Sequence, residues 1–456
     1  MNRRRPFAAG FALSAVLLGA ASGQASPAAL TLREAVGIAL EKNPLRKAAL
    51  ADTRAASADT ETARAFLLPH LTFSETATRG NDPVYVFGSR LRQQRFAQSD
   101  FALNQLNRPL PLGNFATRFG GAWNLFDSFS SWRGLKRARL MEEAARHQLD
   151  RTEQEVVFHV VRTYYQAQLA AKQLEVAEQS VATAQAIVER SQARVETGLA
   201  VESDLLTAKV RLASRQQELI RARNELALAL SQLNVAMGMP MESVFELSQA
   251  LSEPSLPSLQ LQDLESEAVS MRPDLKRIAE EASAQRETVS MAKSAFGPQL
   301  NAFAGWELDN PTLLAGGGGN NWVGGLELKI DLFQGGAKRA ELSRQRALEA
   351  KTAALRQAAT DGVRLDVRRA FYDLDANRQQ VEVARASVAQ AQESLRIHQD
   401  RYETGLITIT DLLAAEEAAH RSQTDYWNSV SQLRTSYAGL ELATGTLNSQ
   451  SPAVMP

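Results

Sequence analysis

The 456-residue chain contains two copies of one pattern, and this internal repeat limits its fold more than any other feature. The segment Glu196–Leu199 reads Glu-Thr-Gly-Leu and recurs at Glu403–Leu406, an offset of 207 residues. The same offset relates two further pairs, Leu125-Phe126 with Leu332-Phe333 and Gly238 with Gly445. Two earlier proline pairs correspond at an offset of 229, Pro44 with Pro273 and Pro69 with Pro298. The difference of 22 residues is an insertion in the first copy, between Pro69 and Leu125.

Two long stretches, between Pro111 and Pro240 and between Pro311 and Pro452, contain no proline. Proline costs about 3 kcal/mol inside a helix, so its absence over such lengths permits very long helices. Apolar residues also recur at helical spacing through both stretches. The second long helix is predicted from about Gly336 to Tyr402, roughly 66 residues or ~100 Å. Helices of this length indicate coiled coils.

Each copy is predicted to contain a helix, two strands, a long helix, a turn and a short second helix. The first helix runs from about Leu32 to Leu67, with Thr31 as its N-cap, and its counterpart runs from about Leu261 to Phe296. The short second helices begin near Ser203 and Thr410. The predicted segments after the N-terminus are repeat 1 (26–238), an equatorial linker (239–260), repeat 2 (261–447) and a short tail (448–456).

The last predicted strand shows the clearest alternation of apolar and charged residues. Its apolar positions are Trp322, Gly324, Leu326, Leu328, Ile330 and Leu332, and its charged positions are Glu327, Lys329 and Asp331. One apolar and one charged face over about 10 residues is typical of a transmembrane β-strand with lipid outside and water inside. A half-solvated sheet of a soluble protein would show the same pattern in a single strand.

Four predicted strands per chain are too few to enclose an aqueous lumen, because small barrels need about eight. Open sheet edges are not tolerated in lipid, so the barrel must be shared between chains. A homotrimer would supply 12 strands, and the internal repeat would then place six similar units around the axis. The predicted fold class is accordingly an α+β membrane protein with an internal two-fold repeat.

The N-terminus has the features of a secretory signal peptide, residues 1–25. Three arginines, Arg3–Arg5, precede the apolar run Phe11–Ala21, and small residues allow cleavage after Ala25. The chain has no cysteine, which excludes a disulfide framework, a thiol nucleophile and a lipid-anchored N-terminal cysteine. Lys and Arg together number 51, as do Asp and Glu, and this balance argues against a nucleic-acid partner.

The tip motifs Arg194–Leu199 and Arg401–Leu406, the paired prolines and the two long hairpins resemble the TolC-type outer-membrane efflux channels over essentially all of the chain after residue 25. The resemblance implies a homotrimer whose 12-stranded β-barrel in outer-membrane lipid continues as a long α-helical coiled-coil barrel across the periplasm. It also implies a passive exit duct of a tripartite efflux or type I secretion system, docked to a periplasmic adaptor and an energised inner-membrane pump. It implies no cofactor.

Gly198 and Gly405 each end a long helix, where glycine tolerates the positive φ of a C-terminal cap. The resemblance implies that these turns also contact the adaptor. Leu199 and Leu406 follow the glycines. They are either docking knobs or apolar side chains that pack back on their own helix.

Asp204 and Asp411 lie six residues after those glycines. An acid in the first helical turn complements the helix dipole, and Thr408 as N-cap with Asp411 at N3 fits a capping box. The resemblance implies that Asp411 also belongs to an aspartate ring that narrows the closed pore. The second ring position is Ala414 here, so the ring would be single.

Tyr402 completes the predicted gate. It matches a family tyrosine that bonds an acid of the neighbouring copy, and that acid corresponds to Asp204 in this chain. The family arginine that supports this link falls on Ile407, so part of the latch is missing.

The insertion between Asn81 and Asn114 has no counterpart in the second copy. Three arginines, Arg90, Arg92 and Arg95, lie near Phe87 and Phe96. The segment could contact lipopolysaccharide, line the pore mouth, or form a solvated loop or short helix that caps the barrel. The second copy instead has a Gly316–Gly319 run before Asn320-Asn321, which predicts a flexible hairpin turn.

Enzyme signatures are absent from the sequence. It has no Gly-Lys-Ser/Thr phosphate loop, no H-E-x-x-H and no G-x-S-x-G. The five histidines lack partners at metal-binding spacing, and the carboxylates mostly read as solvated helix faces. Two alternatives to the export duct are a soluble periplasmic coiled-coil scaffold and a secreted hydrolase. The scaffold does not account for the alternating strands, and the hydrolase has no nucleophile arrangement.

Overall fold

The computed structural model describes residues 29–313 and 319–455. The predicted signal peptide and most of the predicted Gly316–Gly319 turn lie outside these residues. The described part is mainly helical, with one four-stranded sheet and one two-stranded parallel pair. None of its helices combines the length and the hydropathy that crossing a membrane requires.

The two halves of the chain contain equivalent elements in the same order. The first half comprises β1 (Ala29–Leu30), α1 (Leu32–Lys42), α2 (Pro44–Ala65), β2 (His70–Gly80), α3 (Pro83–Arg92), a 3-10 turn (Gln98–Phe101), α4 (Leu103–Asn107), β3 (Leu112–Phe126), α5 (Ser130–Glu196) and α6 (Glu202–Met237). The second comprises β4 (Glu246–Leu247), α7 (Leu261–Met271), α8 (Pro273–Ser294), β5 (Gln299–Asn310), β6 (Gly319–Lys329), α9 (Ala337–Glu403) and α10 (Ile409–Thr444). Helices α5 and α9 both have 67 residues, and α6 and α10 both have 36, so the internal repeat is confirmed.

The predicted first helix is in fact two helices in each half. It breaks at Asn43 and at Arg272, whose ψ angles are 129° and 123°. These residues precede Pro44 and Pro273, and the proline ring drives the residue before it out of the α region. Each proline then occupies the first turn of the next helix, where its missing N–H costs nothing. The single-helix prediction was therefore wrong, although Thr31 forms the predicted capping box.

The predicted short second helices are also longer than expected, because each returns from the tip to the middle of the molecule. Helix α5 is about 100 Å long at the α-helical rise. Helix α2 packs along its half nearest the sheet, and α6 packs along its half nearest the tip. Helices α8 and α10 accompany α9 in the same way. Two half-length helices therefore support each long helix.

The largest hydrophobic core lies at the equator, where the middle of α5 meets α1, the end of α6 and the end of α10. Val160 and Tyr164 of α5 are fully buried there, together with Leu233 of α6. The Tyr164 hydroxyl donates a hydrogen bond to the carbonyl oxygen of Leu30 at 3.0 Å. Since a buried tyrosine needs a partner for its O–H, this bond fixes β1 against the long helix.

The four-stranded sheet is antiparallel, with the strand order β2-β3-β5-β6. An aromatic row crosses all four strands on one face, because Phe73 pairs with Phe119, Phe119 with Trp306, and Trp306 with Trp322. The opposite face carries polar residues such as Arg118, whose guanidinium lies 2.8 Å from a Glu307 carboxylate oxygen. The predicted division into an apolar and a polar face is therefore present, although β6 ends at Lys329 rather than at Leu332.

The insertion folds as short helices over one end of the polar face. Gln93 is 1% exposed and donates a hydrogen bond to Asn114 Oδ1 at 2.8 Å. Asn114 in turn donates to Asp309 Oδ1 at 2.6 Å, which links the insertion to β3 and β5. Arg90 pairs with Asp100 inside the insertion. The short helices of one alternative are therefore present, and contact of this segment with lipopolysaccharide or the pore mouth stays a prediction.

Candidate functional site at the hairpin tips

The two hairpins, α5–α6 and α9–α10, end in turns of the same geometry. At Gly198 φ is 71°, its N–H donates to Val195 O at 3.0 Å, and the next N–H donates to Arg194 O at 2.8 Å. At Gly405 φ is 77°, and the equivalent bonds are 3.1 Å and 2.9 Å. Both turns are Schellman caps, in which a left-handed residue satisfies the last helical carbonyls. Glycine suits this position because a side chain there would be strained.

Each tip presents an exposed leucine directly after its glycine. Leu199 is 70% exposed and Leu406 is 74% exposed. Neither side chain packs back on its own helix, so that alternative is wrong. An exposed apolar residue on a rigid cap is suited to insertion into a complementary partner surface.

Arg194 of α5 joins the two tips within one chain. Its Nη1 donates to the carbonyl oxygens of Tyr402 and Glu403, the latter at 3.0 Å. Its guanidinium lies over the Tyr402 ring, 4.9 Å from the centroid. A cation at a helix C-terminus interacts favourably with the helix dipole, so Arg194 caps the end of α9. Arg190 adds an ion pair to Glu403 at 3.1 Å.

Tyr402 is buried at this junction and does not reach Asp204 in the described residues. It is 3% exposed, in a cluster that includes Ile187 and Leu412. Its hydroxyl lies 3.1 Å from Ser191 Oγ, so it has a hydrogen-bond partner within its own chain. Asp204 lies half-buried at the start of α6, where its N–H donates to the Val201 carbonyl at 3.0 Å. The Tyr402–Asp204 link therefore stays a prediction of the resemblance.

Asp411 forms the predicted capping box at the start of α10. Its carboxylate accepts hydrogen bonds from Thr408 Oγ1 at 2.7 Å and from Thr408 N at 3.1 Å. These bonds lower the pKa of the Asp411 carboxyl, so the group is charged at neutral pH. The residue equivalent to Thr408 in the other hairpin is Val201, which has no side-chain acceptor for a cap. An exposed, charged Asp411 is available for a pore ring, a role that stays a prediction.

A network of charges joins α6 to α10 further from the tips. Arg215 is 1% exposed and contacts Glu416 at 3.0 Å and Glu417 at 2.8 Å. Arg211 contacts the same two carboxylates, Glu416 at 3.0 Å. His420 lies 3.4 Å from Arg215, and burial together with that positive charge lowers the pKa of its imidazole. The imidazole is therefore neutral at neutral pH.

The sequence analysis missed this network because it assigned the carboxylates mainly to solvated helix faces. The available signal was a departure from the repeat. At the offset of 207, Arg215 corresponds to Ser422, and Glu416 corresponds to Lys209. The duplication therefore does not reproduce this pair, which joins the first half of the chain to the second.

No group of three or more His, Asp or Glu residues suited to a metal ion occurs in the ranges 29–313 and 319–455. The site therefore consists of two capped turns, exposed leucines and charged residues. The contact and gating roles of these residues stay predictions of the resemblance.

Comparisons with known proteins agree with this geometry. The chain has the fold of CusC, with a TM-score of 0.77 at 18% identity over 94% of this chain and 95% of that one. It is also similar to VceC of Vibrio cholerae, with a TM-score of 0.76 at 19% identity, covering 91% of this chain and 96% of that one. The CmeC outer membrane channel of Campylobacter jejuni gives 0.75 at 18% identity, covering 92% and 87%. No curated protein sequence matches the chain.

The family comparison decides the assignment. The model of the outer membrane efflux protein family matches residues 35–239 and 264–446, one segment in each half of the repeat. This confirms the resemblance to TolC-type channels and favours an outer-membrane protein over the soluble scaffold. The chain therefore belongs to the outer membrane efflux protein family.

Proposed function

We propose that three copies of the chain form one exit duct through the outer membrane and into the periplasm, without catalytic activity. The observation that carries this proposal is a difference between two equivalent helix faces. Phe158 and Tyr165 of α5 lie against α10 and are partly or fully buried. Their counterparts on α9, Leu365 and Tyr372, are 58% and 60% exposed. One copy of the chain therefore leaves open on α9 a surface that it covers on α5.

The helix that would cover this surface is also open. Helix α6 is the repeat counterpart of α10, and one of its faces carries a stripe of exposed apolar residues: Leu206, Val210, Leu228 and Val235. Their spacing places them in one line along the helix. If α6 of a neighbouring copy packs on α9 as α10 packs on α5, both apolar surfaces are buried. Exposed apolar surface of this extent is typical of an interface.

The sheet supports the same arrangement. Strands β2 and β6 are its outer strands, and in the described residues each has one unpaired edge. Strand β3 is the counterpart of β6, and β5 is the counterpart of β2. The antiparallel pairing of β3 with β5 inside the chain is therefore the pattern for pairing β6 with β2 of the next copy. Three copies would close 12 strands, with the aromatic row facing lipid and the polar face lining the lumen.

The tips are the surface for the remaining partners in this proposal. Leu199 and Leu406 would insert into a periplasmic adaptor, which links the duct to an energised inner-membrane pump. The chain has no nucleotide-binding motif, so the pump would supply the energy. The charged Asp411 of each copy would then form the narrow ring of the resting duct.

Export by cells that depend on this duct tests the proposal. Leu199→Asp together with Leu406→Asp should abolish export, because a charged side chain at each knob opposes burial in the adaptor. Leu103→Asp is the matched control, since Leu103 is 76% exposed and lies in the insertion beside the sheet rather than at a tip. Both variants should reach the outer membrane as trimers. Normal export by the double tip variant would contradict the docking role.

A further inference from the structure

The two repeated tip arginines have different surroundings in a single chain. Arg194 caps the end of α9, as described above. Arg401 is its counterpart at the offset of 207 and occupies the same position at the end of α9 itself. Its side chain is exposed, and its guanidinium has no hydrogen bond or ion pair within the described residues. Arg194 therefore caps a helix end within the chain, whereas the equivalent Arg401 does not.

The end of α5 is open in the matching way. In the described residues the carbonyl oxygen of Glu196 accepts no hydrogen bond, whereas its counterpart at Glu403 accepts one from Arg194. A Cβ added at Gly405 would lie 3.4 Å from Arg194 Nη2, but one added at Gly198 would meet nothing within 4 Å. The space beside Gly198 is thus vacant where the space beside Gly405 holds a guanidinium.

We infer that Arg401 of each copy caps the end of α5 in the neighbouring copy. In a ring where the two repeats alternate, the first repeat contacts the second within a chain, and the second contacts the first of the next chain. The contact of Arg194 with Glu403 then has an equivalent between chains, Arg401 with the Glu196 carbonyl. This inference rests on the proposed trimer, because a single copy has no second α5 for Arg401 to reach.

The proposed trimer would have two kinds of seam: the contact between the two tips of one chain, and the contact between the tips of neighbouring chains. The seam between chains would keep the arginine cap but lose the other polar contacts found within a chain. The Arg190–Glu403 ion pair would become Ile397 beside Glu196. The Ser191–Tyr402 hydrogen bond would become His398 beside Val195, which has no polar group. Of these three polar contacts, the cap by Arg401 is the one retained between copies. Loss of Arg401 should therefore weaken the seam between chains and leave the seam within a chain unchanged.

Cross-linking tests the inference in the purified outer-membrane particle, and the absence of native cysteine removes background reaction. Ile397→Cys with Glu196→Cys places one thiol on each side of the seam between chains and keeps Arg401. A short thiol-specific bifunctional reagent should give covalent dimers and trimers. Arg190→Cys with Glu403→Cys is the matched pair within a chain, and it should give monomers only.

Adding Arg401→Ala to the first pair should lower the cross-linked fraction roughly threefold, the size expected for one charge at an exposed helix terminus. Adding Arg396→Ala should leave it unchanged, because Arg396 pairs with Glu393 and Asp400 of its own helix. A particle of three chains with no cross-link, or with one that ignores Arg401→Ala, would overturn the inference and leave the duct intact. A particle of one chain would instead overturn the proposed function.

Discussion

Arg215 of α6 and Glu416 of α10 form a buried ion pair with two parallel hydrogen bonds. Arg215 Nε donates to Glu416 Oε1 and Nη2 donates to Glu416 Oε2, each at 3.0 Å, and the two residues are 1% and 3% exposed. The pair joins one hairpin of the chain to the other. Ser422 and Lys209 occupy the equivalent positions, so the proposed trimer would have no such pair between copies. The two hairpins of one copy would then be joined more firmly to each other than to a neighbour.

Breaking this pair should destabilise the protein strongly. Arg215→Leu leaves Glu416 buried with only Arg211 as a partner, and removing one member of a buried pair typically costs about 3–5 kcal/mol. Arg215→Leu with Glu416→Leu should cost less, because no buried charge loses its partner. Thermal unfolding of the detergent-extracted particle measures both. Arg223→Ala, at an exposed arginine of the same helix, is the control, and an equal midpoint for Arg215→Leu and Arg223→Ala would contradict the account.

The two hairpins should respond in opposite ways to exchange of their capping residues. Thr408→Val removes the N-cap of α10, a loss of about 1 kcal/mol, and Val201→Thr should complete a capping box with Asp204 and stabilise α6. Hydrogen exchange of the first turn of each helix reports both changes. A Val201→Thr variant that exchanges as fast as the wild type would show that Asp204 does not support a cap.

The capping box of α10 should also be sensitive to acid. Hydrogen bonds from Thr408 lower the pKa of Asp411 in the folded protein. A lowered folded pKa contributes stability that is complete above the ordinary aspartate pKa and is lost as the pH falls through the folded value. The difference in exchange rate between wild type and Thr408→Val should therefore be full at neutral pH and shrink in strong acid. A difference independent of pH would assign the effect to Thr408 alone.

Neutralising the proposed Asp411 ring should change ion conduction. If Asp411 lines the narrow ring, Asp411→Asn removes one negative charge per copy from it, so cation selectivity in a planar bilayer should fall. Asp400→Asn provides the comparison, because Asp400 is an exposed acid of α9 paired with Arg396. If both variants conduct like the wild type, Asp411 does not line the pore.

Two left-handed glycines should differ in their tolerance of a side chain. Within one chain, Gly198→Ala introduces only the strain of a positive φ, about 1 kcal/mol, because a Cβ there meets no atom of its own chain within 4 Å. Gly238→Ala adds contacts of 2.8 Å to the Lys42 backbone and 2.9 Å to Asn43 Cα. The equatorial variant should therefore unfold at a clearly lower temperature than the tip variant. Equal unfolding temperatures would mean that α1 and α6 can separate at little cost.

Much of the fold was predictable because it depends on local rules and on duplication. Proline-free stretches indicated the 67-residue helices, and alternation indicated the two faces of the sheet. The tip caps followed from Gly198 and Gly405, whose conformation few other residues adopt. The break before Pro44 was missed because apolar periodicity continues across it, although the residue before a proline avoids the helical region.

The polar contacts were less accessible from the sequence. A hydrogen bond such as Ser191 to Tyr402 joins residues 211 positions apart, and no local pattern specifies it. The burial of Arg215 likewise depends on how α10 crosses α6. The exposed apolar surfaces of α6 and α9 were recognised only from the sequence repeat and the structure together. The repeat shows which faces are equivalent, and the structure shows which of them are covered.

The mass of the detergent-extracted outer-membrane particle shows whether the duct is built from three copies. Val383→Asp supplies the paired sample, since Val383 is 72% exposed on the open face of α9 and its change should spare the fold of a single chain. The account predicts a wild-type particle of three chains and a Val383→Asp protein that is mainly a single chain. A wild-type protein of one chain would contradict the shared barrel, and with it the duct.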